Sequence, residues 1–108
     1  MNIIIAGDYC ENNRSSEYIQ SHSYKELFGE IKPFIEKADI AIANFEFPII
    51  TANSQPIDKT GPHLGGCMDS IDAIKYAGFT VLTLANNHIL DQGEKCCIET
   101  KNFLAILR

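Results

Sequence analysis

The sequence predicts an α/β fold, a βαβαβα chain whose strands form a parallel sheet with helices packed on it, and three observations carry that expectation. Three short apolar or β-branched runs, Asn2 to Ala6, Asp39 to Ala43 and Val81 to Ala85, have the character of buried strands. Segments with apolar residues every third or fourth position lie between and after them, the spacing of a helix with one buried face. Each run also ends in a polar cluster: Gly7-Asp8, then Asn44-Phe45-Glu46, then Asn86-Asn87-His88. Strands joined through helices pair in parallel by right-handed crossovers, which sets their carboxyl ends along one edge. Ligands of open α/β sheets collect at that edge.

Taken in order, Asn2 to Ala6 is the first strand, and Gly7 permits a sharp turn that throws Asp8 out at its tip. Glu11 to Ser23 is rich in Asn and Ser and reads as a surface loop, with His22 solvated in it. Tyr24 to Lys37 places Tyr24, Leu27, Phe28, Ile31, Phe34 and Ile35 on one helical face. Ser23 and Glu26 form a candidate capping box, and Pro33 predicts a kink or break. Asp39 to Ala43 is the second strand. Phe47 to Gly66 holds three prolines and three glycines, so no regular element fits. A loop of that length in a small domain is usually functional or mobile. Met68 to Ala77 is the next helix, with Gly78 as its left-handed terminator. Val81 to Ala85 is the third strand, and Glu94 to Leu107 the last helix, with Cys97, Leu104 and Leu107 on its buried face.

Length and charge bound the function. A chain of 108 residues, 45% of them hydrophobic, is one domain with a modest core. Its formal charge of −5 offers no electrostatic footprint for nucleic acid or an anionic membrane surface. An acidic protein that handles phosphate- or carboxylate-bearing substrates needs a metal or a local basic pocket to overcome its own field. No run approaches the roughly 20 apolar residues of a membrane span, and Ile3 to Ile5 is too short for the apolar part of a signal peptide. A cytoplasmic location is the expectation. Cys10, Cys67, Cys96 and Cys97 have neither zinc-site nor C-x-x-C spacing and read as reduced thiols.

The three polar tips define the candidate site. Asp8, Glu46 and the Asn87-His88 pair supply oxygen and nitrogen donors suited to a divalent cation such as Mn²⁺, Mg²⁺, Zn²⁺ or Fe²⁺. Such a cation relieves repulsion between clustered carboxylates and clamps a phosphoryl group, while an imidazole protonates the leaving oxygen. Lys59, in Asp58-Lys59-Thr60-Gly61-Pro62-His63, is the one basic side chain of the long loop and a candidate anion contact. Taken singly these residues have plainer readings: Asp8 and Asp91 as turn caps, His88 as a satisfied core histidine, Lys59 as a solvated loop residue.

The motif set resembles a family. Gly7-Asp8, Ala38-Asp39 leading to Asn44-Phe45-Glu46, and Ala85-Asn86-Asn87-His88 with Asp91 and Gly93 are similar to the amino-terminal half of the CapA-type capsule, or poly-γ-glutamate, biosynthesis proteins of the calcineurin-like metallophosphatase superfamily. Ala77-Gly78-Phe79, Thr100 and Leu104 fit its pattern too, and the resemblance spans essentially all 108 residues. It implies a metal-dependent phosphoesterase-like domain, or else a non-catalytic binding or assembly component of polymer biosynthesis. It implies Asp8, Glu46 and Asn87 as metal ligands, with Glu46 bridging, and His88 as the leaving-group acid or a phosphate contact. Asn86, Asp91 and Lys59 are the candidate substrate contacts beside them. Cys10 stands where many metallophosphatases have the histidine of an Asp-x-His motif. The family's domain continues past a third helix and carries further histidine ligands there, so an incomplete two-metal site with weak or no activity is expected. Half a sandwich-like domain would also leave one sheet face without a partner, which predicts self-association or a separately supplied carboxyl-terminal half.

Overall fold

The computed structural model describes residues 1–105. Its centre is a three-stranded parallel sheet in which β2 (Ile40–Phe45) lies between β1 (Ile3–Tyr9) and β3 (Val81–Thr83). Alternation along β2 sorts its side chains: Ala41, Ala43 and Phe45 are fully buried, whereas Ile40, Ile42 and Asn44 are half-buried on the opposite face. The buried row meets α4 (Asp69–Ala77), whose Ile71 and Ile74 form the main core with Phe45, Phe47 and Ile49. Ala41 and Ala77 make a second, smaller core with Ile35. The expected fold class, strand order and parallel pairing are all present, as is the left-handed Gly78 (φ 94°) that ends α4.

Several elements differ from the sequence expectation. β1 does not turn at Gly7 but continues to Tyr9, because a bulge between Ile5 and Asp8 lets it spend three residue steps where β2 spends two. The bulge re-aims the end of the strand, so that Tyr9 packs on Phe45 and Phe47 and Asp8 stands level with Asn44. The polar stretch after it is not a loop: α1 (Asn13–Gln20) forms there, and the Ser15 hydroxyl accepts the Asn12 N–H at 2.9 Å. Only Ile19 of this helix is buried, too little apolar periodicity to read from sequence.

The expected single helix over 24–37 is three pieces. α2 (Tyr24–Phe28) stops at Gly29 (φ 54°), a 3₁₀ turn spans Gly29–Ile31, and α3 (Lys32–Lys37) follows. The break therefore precedes Pro33, which lies in the first turn of α3, where its missing N–H costs no helical hydrogen bond. Ile31 and Phe34 are exposed rather than on a buried face. Ser23 caps nothing with its side chain, which pairs with the Ser21 hydroxyl at 2.8 Å instead.

β3 is shorter than expected, three residues, and the chain leaves the sheet before Leu84. α5 (Glu94–Ala105) buries Cys96 and Thr100 most completely, with Cys97 and Leu104 half-buried; Leu107 lies outside the described residues. The four cysteines are free thiols. The segment 47–66 is irregular apart from a parallel bridge between Ile49 and Gly66, yet Phe47, Pro48 and Ile49 are fully buried. An irregular backbone can enter a core only if its polar groups find partners. Thr100 provides one: its hydroxyl accepts the Ile49 N–H at 2.8 Å and donates to the Cys96 carbonyl at 2.7 Å. Thr100→Val keeps the shape and strands that N–H, so it should cost about 1–3 kcal/mol in urea unfolding, with Thr100→Ser losing much less. A Thr100→Val variant as stable as the parent, with Thr100→Ser destabilised, would show that the methyl group matters and the hydroxyl does not.

Candidate functional site

The three strands end at one level, and a polar row runs across them. Asn44 Nδ2 donates to Asp8 Oδ1 at 2.8 Å, and Thr83 Oγ1 donates to Asn44 Oδ1 at 3.1 Å. Asn86 continues the network, its amide donating to Asn44 Oδ1 (3.2 Å) and to the Phe45 carbonyl (3.0 Å). Glu46 follows β2 directly and is tied to β1 by its own N–H, which donates to the Tyr9 carbonyl at 3.1 Å. Its carboxylate neighbours Asp8 on one side, and on the other its Oε1 lies 3.8 Å from His88 Nε2. Asp8, Glu46 and His88, drawn from three tips distant in sequence, thus share one edge.

His88 is held from behind. The Asn86 side-chain oxygen accepts the His88 N–H at 3.1 Å, forming a tight turn that aims the ring. Asp91 Oδ2 lies 2.7 Å from His88 Nδ1 and accepts the Leu64 N–H at the same distance. Asp91 Oδ1 accepts from Lys59 Nζ at 2.6 Å. A carboxylate can only accept here, so Nδ1 carries the proton and Nε2 faces Glu46.

The electrostatics of the two acids are opposite. Burial by itself would raise the Asp91 pKa, but the Lys59 ammonium, the Leu64 N–H and His88 together hold it below the ordinary carboxylate range. Glu46 is raised, by burial first and then by the Asp8 carboxylate beside it, with His88 pulling the other way. Cys10 is raised as well, by burial and then by Glu46, Asp8 and Glu11. Its thiol stays protonated, the reverse of what a nucleophilic cysteine needs.

Not every expected contact survives this geometry. Asp91 is fully buried with both oxygens engaged, so it meets the edge through His88. The Asn86 amide is turned inward onto Asn44 and Phe45, and Lys59 is paired with Asp91. Asn87 is exposed, and no hydrogen bond joins it to Asp8, Glu46 or His88. Among the described residues, no three His, Cys, Asp or Glu side chains are arranged to hold a metal ion.

One structural carboxylate escaped sequence analysis. Glu11 is buried, and it accepts the Cys67 N–H (2.8 Å), the Ser70 hydroxyl and the Gln20 amide (3.4 Å). It fastens the end of β1 to the start of α4. Its main partners lie 56 and 59 residues away, so no local spacing marks it.

The fold and the edge together define a class: a parallel α/β domain that gathers two carboxylates and an oriented imidazole at the ends of its strands. Sequence comparison narrows this. The bacterial capsule synthesis protein PGA_cap family matches residues 2–105, and the chain belongs to that family. It is 30% identical over 97 residues to the capsule biosynthesis protein CapA of Bacillus anthracis, covering 88% of this chain and 24% of that relative. It is 32% identical over 91 residues to the PGA biosynthesis protein CapA of Bacillus subtilis (strain 168), covering 83% and 22%. The chain therefore spans about a quarter of the length of the relatives it matches.

The two shifted acids make opposite stability predictions. Glu46 has a raised folded pKa, so the folded state favours its protonated form, and stability is lost as pH climbs through that raised value. Glu46→Gln should therefore raise the melting temperature at pH 7, and the gain should shrink on acidification below the carboxylate range. Asp91 has a lowered folded pKa, so its contribution is present above the ordinary carboxylate range and disappears as pH falls through the lower folded value. Asp91→Asn leaves Lys59 half-buried without its partner and should cost about 3 kcal/mol at pH 7, with the gap to the parent closing in acid. Thermal melts of both variants across pH 3 to 7, taken as roughly spanning the carboxylate range, check the signs.

Proposed function

We propose that this chain contributes the first part of a divalent-metal phosphoesterase-type site serving capsule or poly-γ-glutamate synthesis. The single observation that carries this is the convergence of Asp8, Glu46 and the Nε2 of His88 at the ends of adjacent strands. The donor chemistry suits a cation. Two neighbouring carboxylates, one with its pKa raised by burial and then by the other, gain from added positive charge, and Lys59 is committed to Asp91. Asp8 and Glu46 would hold the ion, with the exposed Asn87 as a third oxygen donor. That set suits one weakly bound Mn²⁺, Mg²⁺, Zn²⁺ or Fe²⁺ with open positions. The ion would supply Lewis-acid charge to the oxygens of an anionic phosphate substrate.

This chain's own contribution to the chemistry centres on His88. With Nδ1–H fixed on Asp91, the ring presents Nε2 to the edge; when that nitrogen is protonated, Asp91 and Glu46 balance the imidazolium from both sides. A proton donated from Nε2 to a leaving oxygen is the resulting acid step. Asp91, Lys59 and the Leu64 N–H act through the imidazole by fixing its tautomer and direction.

A second function, a non-catalytic binding or assembly component of polymer synthesis, is favoured by the lack of a three-residue chelating cluster among the described residues. Calorimetric titration with Mn²⁺, run beside hydrolysis of an aryl phosphodiester, separates the two. Weak binding of one ion is expected. Glu46→Gln should lower the affinity at least about tenfold. His88→Ala should retain the ion and lose turnover. Glu46→Gln binding Mn²⁺ as tightly as the parent would refute the metal assignment, and ion binding without hydrolysis would favour the binding component.

A further inference from the structure

We infer, taking His88 as the acid of the proposed site, that Gln92 is a positioning residue for it. The Gln92 side-chain amide closes the irregular segment from Ser54 to Leu64 into a loop and so keeps the donors to Asp91 in place. Two of the three groups around the Asp91 carboxylate, Lys59 Nζ (2.6 Å) and the Leu64 N–H (2.7 Å), come from this segment, which contains no helix or strand. A donor can hold a buried carboxylate in one orientation only if the donor itself is held. Gln92, buried beside Asp91 in the same turn, does this: its Nε2 donates to the Leu64 carbonyl at 3.1 Å, and its Oε1 accepts the Ser54 hydroxyl at 2.6 Å. Leu64 is therefore gripped on both backbone groups, its N–H by Asp91 and its carbonyl by Gln92.

Both limbs of the segment thus meet on one amide. Lys59 stands midway between Ser54 and Leu64 in the sequence, so pinning the base of the loop presents the lysine at its crown to Asp91. Backbone pairs set the register: the Gln55 N–H donates to the Gln92 carbonyl at 2.8 Å and the Ile57 N–H to the Asp91 carbonyl at 3.0 Å. At Gly93 (φ 95°) a Cβ would lie 2.9 Å from the Gln55 carbonyl oxygen, so the close approach of the segment requires glycine there. Glutamine suits its position because it carries a donor and an acceptor at the end of a side chain long enough to span both limbs. Gln92→Glu keeps an acceptor for Ser54 and loses the donor to Leu64; Gln92→Met keeps the length and loses both. Without a fixed Leu64 N–H, the Asp91 carboxylate gains freedom to turn, and the His88 Nδ1–H that it accepts loses its direction.

Solvent exchange reads this clamp directly, without metal or substrate. In isotope-labelled chain, NMR at one fixed pH follows exchange of the His88 Nδ1–H and of the Leu64 N–H, and both should be protected in the parent. Gln92→Met and Gln92→Glu should each quicken both exchanges about tenfold, roughly the net worth of one buried hydrogen bond, while circular dichroism shows the fold retained. Ser54→Ala removes the contact of one limb at a half-buried position and should quicken both by a smaller factor. Thr100→Val, which releases the irregular segment at Ile49 instead, should lower stability and leave the His88 signal unchanged. Folded Gln92 variants that exchange like the parent would overturn the inference, as would faster Leu64 exchange with an unchanged His88 signal, which makes Gln92 structural only. A Thr100→Val chain in which His88 exchange quickens as much would overturn it too. Should both Gln92 variants unfold, Ser54→Ala decides, and no change there refutes the clamp. Failure to bind Mn²⁺ or to hydrolyse the diester, with these exchange results intact, removes the reading of the site and leaves the clamp standing.

Discussion

The common level at which the three parallel strands end is the constraint on which the site depends. Asn44 fixes it, bonding Asp8 on one side and accepting from Thr83 and Asn86 on the other, so one amide spans the carboxyl edge. The β1 bulge is what makes the level possible. Without the extra residue, Asp8 would fall out of step with Asn44 and Tyr9 would leave the aromatic core. A local irregularity in one edge strand therefore serves packing and chemistry together.

Buried hydrogen-bonding side chains do for the irregular half what ladders do for the sheet. Thr100 satisfies the Ile49 N–H, Glu11 the Cys67 N–H, and Asp91 the Leu64 N–H, so the three side chains pin successive points of the segment from 49 to 67. Thr100 belongs to α5, Asp91 to a turn and Glu11 to the short link between β1 and α1, and each reaches across to a backbone that has no ladder of its own. The side chains at Gly65 and Gly66 are excluded for the same reason: a Cβ at the first would meet Ile50, and at the second Phe47 and Glu11. Close approach of the segment to the core leaves no room there.

Charge at the edge is distributed unevenly. Asp91, the most buried acid, has a lysine, a backbone N–H and an imidazole around it, and it is stabilised as an anion. Glu46 and Asp8, nearer the surface, have each other and a histidine at 3.8 Å. The fold thus spends its local cation on a supporting residue and leaves the two edge carboxylates in mutual repulsion. Repulsion of that kind costs a folded chain stability, and it is the electrostatic condition on which the proposed cation site rests.

Sequence alone determined the skeleton of this protein. Alternation in Ile40 to Phe45, helical spacing in 69–77 with Gly78 after it, and the polar residues at each strand end all follow from short-range steric and hydrophobic preferences, which leave a period in the sequence. The same signals failed where local preference was weak or contested. α1 buries one residue and so has no period, and Gly29 ended a helix that Pro33 was expected to break. Tertiary structure alone decided what the polar residues do. Asp91, expected at a substrate, became the buried support of His88, and Glu11 became a fastening for α4, because their partners lie in segments up to 59 residues away. A hydrogen bond between distant segments depends on where the folded chain brings them, and no periodicity in the sequence records that distance.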